Sequence, residues 1–269
     1  MDLAYTTLTQ LAKLSEVSET TVVRFVSKLG YKGFPEFKDG LRDYIETSTA
    51  KKAKLRRFDI QDGNYEFPRD ICKAIFALEA QVMQNTLTKM DMSDHEKAVN
   101  MLYEAPDVYV VGCGANTCCS QAMGFVLQVI RPNVHIIEHL DLPERSIIRS
   151  ARKGSVAVVF TTPRYPSLTQ KIANMLNNQG IAIIGVSDSL LSPIVPYCKI
   201  FFQIPEKYVA FTDTNAAYMA LIHSFAFALN YKDKKKARAM IADYNDFVQN
   251  YDYYEHGDFE LVELDYDKL

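Results

Sequence analysis

The chain has 269 residues, 48% of them apolar, and a formal net charge of −3. That length exceeds what one hydrophobic core usually organises and suits two domains. No apolar run approaches the ~18 residues needed to span a bilayer, and the opening MDLAYTTLTQ lacks the basic start and apolar stretch of a signal peptide, so a cytosolic protein with no membrane partner is expected. Five cysteines, three of them crowded at Cys113, Cys118 and Cys119, form no disulfide framework or zinc pattern, and no metal or cofactor is expected. The charge is uneven. Residues 1–57 carry 11 Lys/Arg against 7 Asp/Glu, and the rest of the chain is acidic. A basic head is suited to a polyanion.

In chain order, Leu8, Leu11, Ala12 and Leu14 stand at helical spacing and predict a helix over residues 7–15. After the break at Glu16-Val17, Ser18 occupies the position of an N-cap. A second helix over 19–29 takes Val22, Val23, Val26 and Leu29 as its apolar stripe, and Gly30 follows its end. Phe34 and Phe37 read as core plugs, with Pro35 in the first turn of a third helix. Residues 46–64 are polar, charged and aperiodic, which marks a linker. Helical periodicity returns over about 66–103, with Ile71, Ile75, Leu78, Val82 and Leu87 as a core face. Apolar runs at 107–114, 133–139, 155–162, 181–188 and 198–205 then alternate with helical segments. That alternation predicts a parallel sheet covered on both faces. A last helix is expected over 211–230, and residues 241–269 form an acidic, tyrosine-rich tail.

Helix, short turn, Ser cap and second helix together outline a DNA-reading helix-turn-helix. Off the apolar stripe lie Thr20, Thr21, Arg24 and Lys28, residue types that reach base edges and phosphates. A capped, solvated helix face accounts for the same pattern.

The pieces Leu11-Ala12, Val17-Ser18, Thr21-Val22-Val23-Arg24-Phe25, Lys28-Leu29-Gly30, Tyr31-Lys32-Gly33-Phe34 and Phe37-Lys38 closely resemble the N-terminal domain of the RpiR family of regulators. The resemblance implies that Ser18, Thr20, Thr21, Arg24 and Lys28 face operator DNA. It also implies a further helix ahead of the Leu11-Ala12 helix, for which this chain shows no counterpart. Glu16 stands where the family usually has a turn glycine.

In VYVVGCGANTCC, a strand runs through a glycine-containing turn into a helix start, where free N–H groups favour anions. Gly112 and Gly114 permit close approach, and Asn116 and Thr117 offer side-chain hydrogen bonds. A plain tight turn explains the motif equally well, and it is not a dinucleotide fingerprint. In the next unit a strand ends at Thr161-Thr162, a loop with Pro163, Arg164 and Tyr165 follows, and Ser167 and Thr169 open a helix, which suits a phosphate or a carboxylate. Together with Ser187-Asp188 and Ser192-Pro193-Ile194, these loops resemble the sugar isomerase (SIS) domain that follows the helix-turn-helix in RpiR-family proteins. Asn stands in place of Ser at position 116, and TTPRY replaces the commoner serine-rich second loop.

The resemblance implies an all-α helix-turn-helix domain followed by a flavodoxin-like parallel α/β SIS domain. The divisions are residues 1–57, a linker and leading helix over 58–105, the SIS domain over 106–232, and an acidic extension over 233–269. It further implies a phosphorylated sugar, sugar acid or amino sugar as effector, bound by Gly112, Gly114, Asn116, Thr117, Thr161, Arg164, Ser167 and Thr169, in a homodimer or homotetramer. An isomerase would need a base beside the sugar. His223, on the last helix, is the tempting residue but reads as a satisfied core histidine; His135, His139, Glu138 and Glu144 lie around the second strand. No catalytic residue is assigned, and a regulator without turnover is expected. A phosphosugar isomerase, or a ligand-binding relative with a non-functional head, is the alternative. The cysteines near the helix start read as packing residues or as a redox site.

Overall fold

The computed structural model of the chain describes residues 7–28, 30–39, 69–205, 213–251 and 253. The 46–64 linker, Leu29 and most of the acidic tail lie outside the described residues. The chain divides into two compact units, Met1–Phe67 with Tyr208–Thr212, and Pro68–Lys207 with Asp213–Leu269.

In the first unit, α1 (Leu8–Leu14) starts at a capping box. Gln10 N donates to Thr7 Oγ1 at 3.2 Å, and Thr7 N donates to Gln10 Oε1 at 2.9 Å. After the turn, Ser18 accepts from the backbone N–H of Thr21 at 3.2 Å and caps α2 (Glu19–Lys28). Residues 34–39 form the described part of α3. Ala12, Val22 and Val26 are the buried centre, with Leu8, Leu11, Tyr31, Phe34 and Phe37 packed around them. Two members of the expected stripes lie outside: Leu14 is 53% and Val23 39% exposed, because so small a core can cover only one narrow sector of each helix.

Glu16 has φ 53°, so the turn keeps the left-handed angle that glycine adopts without penalty. A side chain there costs about 1–2 kcal/mol. Glu16→Gly is expected to stabilise the head by about 0.5–1 kcal/mol, the relief being partly offset by glycine's extra freedom in the unfolded chain. Urea denaturation of the two proteins, followed by helical circular dichroism, checks this.

The second unit begins with two helices, α4 (Arg69–Lys89) and α5 (Met92–Glu104). The single helical face expected over 66–103 is thus broken at Met90-Asp91. Asp91 accepts from Ser93 N at 2.8 Å and caps α5. Leu78 and Val82 are buried as expected, but Leu87 points outward. Five strands follow: β1 (Val108–Gly112), β2 (Val134–Ile137), β3 (Val156–Phe160), β4 (Ala182–Ser187) and β5 (Cys198–Gln203). All pairs are parallel, and the order is β2-β1-β3-β4-β5. Between the strands run α6 (Thr117–Ile130), α7 (Leu142–Arg149) and α8 (Ser167–Asn178); α9 (Ala216–Lys232) and α10 (Lys234–Asn250) follow β5. The last helix begins at Ala216 rather than 211.

Strand alternation sorts side chains to two cores. Val108, Val110, Val156, Val158 and Phe160 face α5, α6 and α9. Tyr109, Val111, Ala157 and Val159 face α7 and α8, against Ile148, Ile172 and Leu176. Both faces are covered, which is why the central strands are continuous apolar runs.

Asp107, just before β1, ties the lower edge of the sheet together. It accepts from Arg152 Nε at 2.6 Å and Nη2 at 2.9 Å, from Ser155 Oγ at 3.3 Å, and hydrogen-bonds His135 Nε2 at 3.2 Å. The Arg152 hydrogen bond, with help from His135 and against burial, lowers its carboxyl from 3.8 to about 2. A depressed carboxyl stabilises the fold above its unfolded value, and the stabilisation is lost as pH falls toward the folded value. Asp107→Asn is expected to cost about 1–3 kcal/mol near neutrality. The gap between wild type and variant in urea midpoint should shrink between about pH 5 and pH 3.

Candidate functional site

The strand order reverses direction between β1 and β3. In open α/β sheets that switch point leaves a crevice outside the carboxyl ends of the strands. Both glycine- and hydroxyl-containing loops read from the sequence leave the sheet there.

The first loop is tight. A Cβ on Gly112 would fall inside the contact shell of the Asn116 backbone oxygen and stand 3.1 Å from the Ser120 Cβ. Gly114 has φ +64° and opens a single 3-10 turn, Gly114–Asn116, that hands over to α6. Asn116 is buried, with Nδ2 donating to Cys113 O at 3.4 Å and, among the described residues, no partner on Oδ1. Thr117 donates to Gly114 O at 3.0 Å.

In the second loop, Thr161 is buried and its Oγ1 has no partner among the described residues. Arg164 is exposed with φ 74°, and Tyr165 follows with φ 27°. Tyr165 OH donates to Asp188 Oδ1 at 2.7 Å, bracing this loop against the one after β4. Ser167 is exposed in the first turn of α8, whereas Thr169 is fully buried beside the Cys113 thiol. Burial pushes that thiol up.

The eight residues expected to bind ligand therefore lie on two loops and a helix start along one sheet edge. Sequence reasoning passed over two more buried hydroxyls without partners among the described residues, Ser192 Oγ after β4 and Thr214 Oγ1 ahead of α9. Ser192 was visible as part of a motif but not as a contact. Thr214 fell inside a segment read as helix. Glu138 at the end of β2 accepts from Ser120 Oγ at 2.8 Å.

The other ionisable candidates are placed elsewhere. His223 is exposed on α9, which corrects its reading as a core histidine; α9 buries Leu221, Ile222 and Phe225, and position 223 falls on its outer side. His135 binds Asp107 at the opposite edge and stacks on Tyr109, 5.1 Å between centroids. Glu144 closes the capping box of α7.

On the head, Ser18, Thr20, Thr21, Arg24 and Lys28 are all exposed. Thr20, Thr21, Arg24 and Lys28 share the α2 sector opposite buried Val22 and Val26, since ~3.6 residues make a turn. Ser18 Oγ lies 2.8 Å from Thr21 Oγ1, so part of its capacity goes to holding the helix start.

Geometry thus defines a class: a helix-turn-helix head in one unit, and in the other a flavodoxin-like α/β body with polar loops at the carboxyl ends of its strands. Residues 2–48 match the model of the rpiR-family helix-turn-helix domain, and residues 101–228 match that of the SIS domain. The chain belongs to the RpiR family. It is 22% identical over 210 residues to the transcriptional regulator RpiR of Escherichia coli K12, covering 77% of this chain and 68% of that one. An uncharacterised helix-turn-helix transcriptional regulator of Haemophilus influenzae is 23% identical over 197 residues, or 71% of this chain. The chain spans 65% of that relative's length. The Vibrio vulnificus NanR protein complexed with ManNAc-6P shares the fold, with a TM-score of 0.61 and 18% identity, covering 93% of this chain and 88% of that one.

One reactive group borders the crevice. Cys118 is exposed in the first turn of α6, its Sγ 3.9 Å from that of buried Cys119. Hydrogen bonding from Cys119, aided by first-turn amides and opposed by burial, lowers Cys118 from 9.0 to about 6. Cys118 is expected to be the fastest-alkylated cysteine of the folded protein, with a rate that levels off above about pH 7. Peptide mapping after timed iodoacetamide pulses checks this; faster labelling at Cys72 would contradict it.

Proposed function

We propose that this protein is a DNA-binding transcription regulator of carbohydrate metabolism, controlled by a phosphorylated sugar or related sugar derivative held at the strand ends. The observation that carries the reading is a group of buried oxygens without partners among the described residues, including Asn116 Oδ1, Thr161 Oγ1, Ser192 Oγ and Thr214 Oγ1. They belong to the loops at the carboxyl edge of the sheet and to the approach to α9. Buried polar atoms are normally satisfied, and each orphan costs about 1–3 kcal/mol. A polyhydroxylated ligand supplies the missing partners, while the first turns of α6 and α8 offer N–H groups to its anionic end. The eight loop residues named from the sequence are its proposed contacts, with Ser192 and Thr214 added. NanR holding ManNAc-6P on the same fold supports this choice of ligand class.

Ser18, Thr20, Thr21, Arg24 and Lys28 are proposed to meet operator DNA, and residues 1–57, 58–105, 106–232 and 233–269 to act as head, linker with leading helix, sensor and extension. A palindromic operator calls for a two-fold assembly. Among the described residues no helix is long and apolar enough to cross a membrane, in keeping with work in the cytosol. Relatives bearing this head are named regulators, which favours sensing over turnover.

Thermal melting with a panel of sugar phosphates tests the sensor. At a ligand concentration about 100 times Kd, ~2.7 kcal/mol of stabilisation is expected, a rise of roughly 5–10 °C. Thr161→Val should keep the apo melting point and weaken the effective ligand about tenfold or more. No shift from any panel member would overturn the sensor reading, and aldose–ketose interconversion would turn it into an isomerase. In the same preparations Arg24→Ala should weaken operator binding, and wild-type affinity should fall steeply with salt.

A further inference from the structure

Positive charge in the second unit is concentrated at one turn. Between α9 and α10 the chain reads Lys232-Asp233-Lys234-Lys235-Lys236-Ala237-Arg238, five cations against one carboxylate within seven residues. That excess equals the one spread over residues 1–57, while the remainder of residues 58–269 carries 14 Lys/Arg against 25 Asp/Glu. All five cationic side chains are exposed. The helix they open is charged against its own dipole. An α-helix favours acids in its first turn and cations in its last. Helices α2, α4 and α7 keep that order, with Glu19, Asp70 and Glu144 at the start and Lys28, Lys89 and Arg149 at the end. In α10 the first turn has no acid and the last no cation; Lys234, Lys235 and Lys236 open it, and Asp243 and Asp246 lie in its second half. That order works against the helix, yet neighbouring groups hold it in place. Asp233 accepts from Lys236 N and from Tyr103 OH, each at 3.0 Å, which fixes the start of α10 against α5. Lys232 and Lys236 place their ammonium groups 5.2 and 5.6 Å from the centre of the Tyr103 ring, and Lys234 stands 4.5 Å from that of Tyr231.

We propose that this turn is a second, sequence-blind contact for duplex DNA, in which Lys232, Lys234, Lys235, Lys236 and Arg238 meet phosphates. The choice of partner follows from the chemistry. Lysine is a point charge that neutralises phosphate and carries no base readout from a backbone contact. Five exposed cations on one helix junction suit an extended polyanion, which reaches several at once. The cleft beside Lys236 is no seat for a small anion: it presents the Asp233 carboxylate, and its Arg131 guanidinium is already given to the carbonyls of Leu102 and Ala105. An anionic bilayer calls for apolar side chains among the cations, and residues 232–238 hold only Ala237, which is buried. At physiological salt an exposed charge is felt over only ~8 Å, so the acidic remainder of the unit does not cancel the island. The inference rests on the regulator reading only for DNA as the polyanion, and the residues it names belong to the second unit rather than to the helix-turn-helix.

Fluorescence anisotropy with the full chain and a labelled duplex of random sequence tests it. The logarithm of the binding constant falls with the logarithm of salt by about 0.9 for each phosphate neutralised. Lys234→Gln/Lys235→Gln/Lys236→Gln should make that slope shallower by about 2–3 and weaken binding about tenfold or more near 0.1 M salt. The variant should melt no lower than wild type, because cations leave the start of α10. Lys234→Arg/Lys235→Arg/Lys236→Arg should keep both affinity and slope. Among duplexes enriched by wild type from a random pool, the glutamine variant should keep the wild-type order of preference, whereas Arg24→Ala should flatten it. Wild-type protein that binds no duplex would overturn the proposal, as would tighter binding to vesicles of anionic phospholipid than to DNA. If random DNA is bound through the lysines while no sequence is enriched, the regulator reading fails and this contact stands. If a sequence is enriched and the glutamines leave the slope unaltered, the regulator reading stands and this contact fails.

Discussion

At the end of β1 the backbone of Gly112 passes against the carbonyl of Asn116 with no room for a Cβ. This close approach lets the chain turn from strand to helix within one short 3-10 turn. Because the turn is so short, the first N–H groups of α6 open at the strand end instead of lying buried against the sheet. The same closeness drives the Asn116 side chain inward, where one of its atoms finds a partner and the other does not. Any side chain at 112 would pry the turn open. The crevice, the orientation of Asn116 and the exposure of Cys118 would change together.

Parallel order supplies the second constraint. With β1 between β2 on one side and β3 on the other, the connections after β1 and β3 leave the sheet in opposite directions, the arrangement that opens a crevice in sheets of this kind. The loop after β3 holds two successive residues at positive φ, Arg164 and Tyr165, a conformation that costs about 1–3 kcal/mol per residue and persists only where neighbours enforce it. The Tyr165–Asp188 hydrogen bond is one such neighbour. It also links the β3 and β4 loops.

Much of this was legible in the sequence, and for identifiable reasons. Buried parallel strands are continuous apolar runs, so all five could be located within a residue or two of their observed ends. Gly112, Gly114 and Thr161 stood out because they end such runs, where the chain turns from a strand toward a helix start. The head was legible through Ser18 and Gly30, residues whose backbone roles are local. Failures came where tertiary context decides. Val23 and Leu14 have the right period but lie outside a core too small to reach them. Leu87 belongs to a second apolar face of α4, and a helix with two such faces gives one blurred periodicity. His223 sits one residue from buried Ile222, a distance that hydrophobicity averaged over a window cannot resolve. Thr214 became visible only when α9 was seen to start after it.

On the proposed reading, the orphaned oxygens also set the scale of control. Moving a two-state protein from one part in a hundred to ninety-nine requires a ligand preference of about 5.5 kcal/mol between the states. Four buried oxygens, each costing about 1–3 kcal/mol when unpaired, represent a comparable sum. That sum becomes a preference only if one arrangement holds the oxygens in register for a ligand and the other does not, because equal satisfaction in both shifts nothing. The braced β3 and β4 loops are suited to making that difference, since Thr161 and Ser192 lie on the two segments that Tyr165 and Asp188 join. If the proposed site holds, a ligand that pairs with both hydroxyls at once would favour the braced arrangement, whereas one that reaches a single loop would bind without selecting between states.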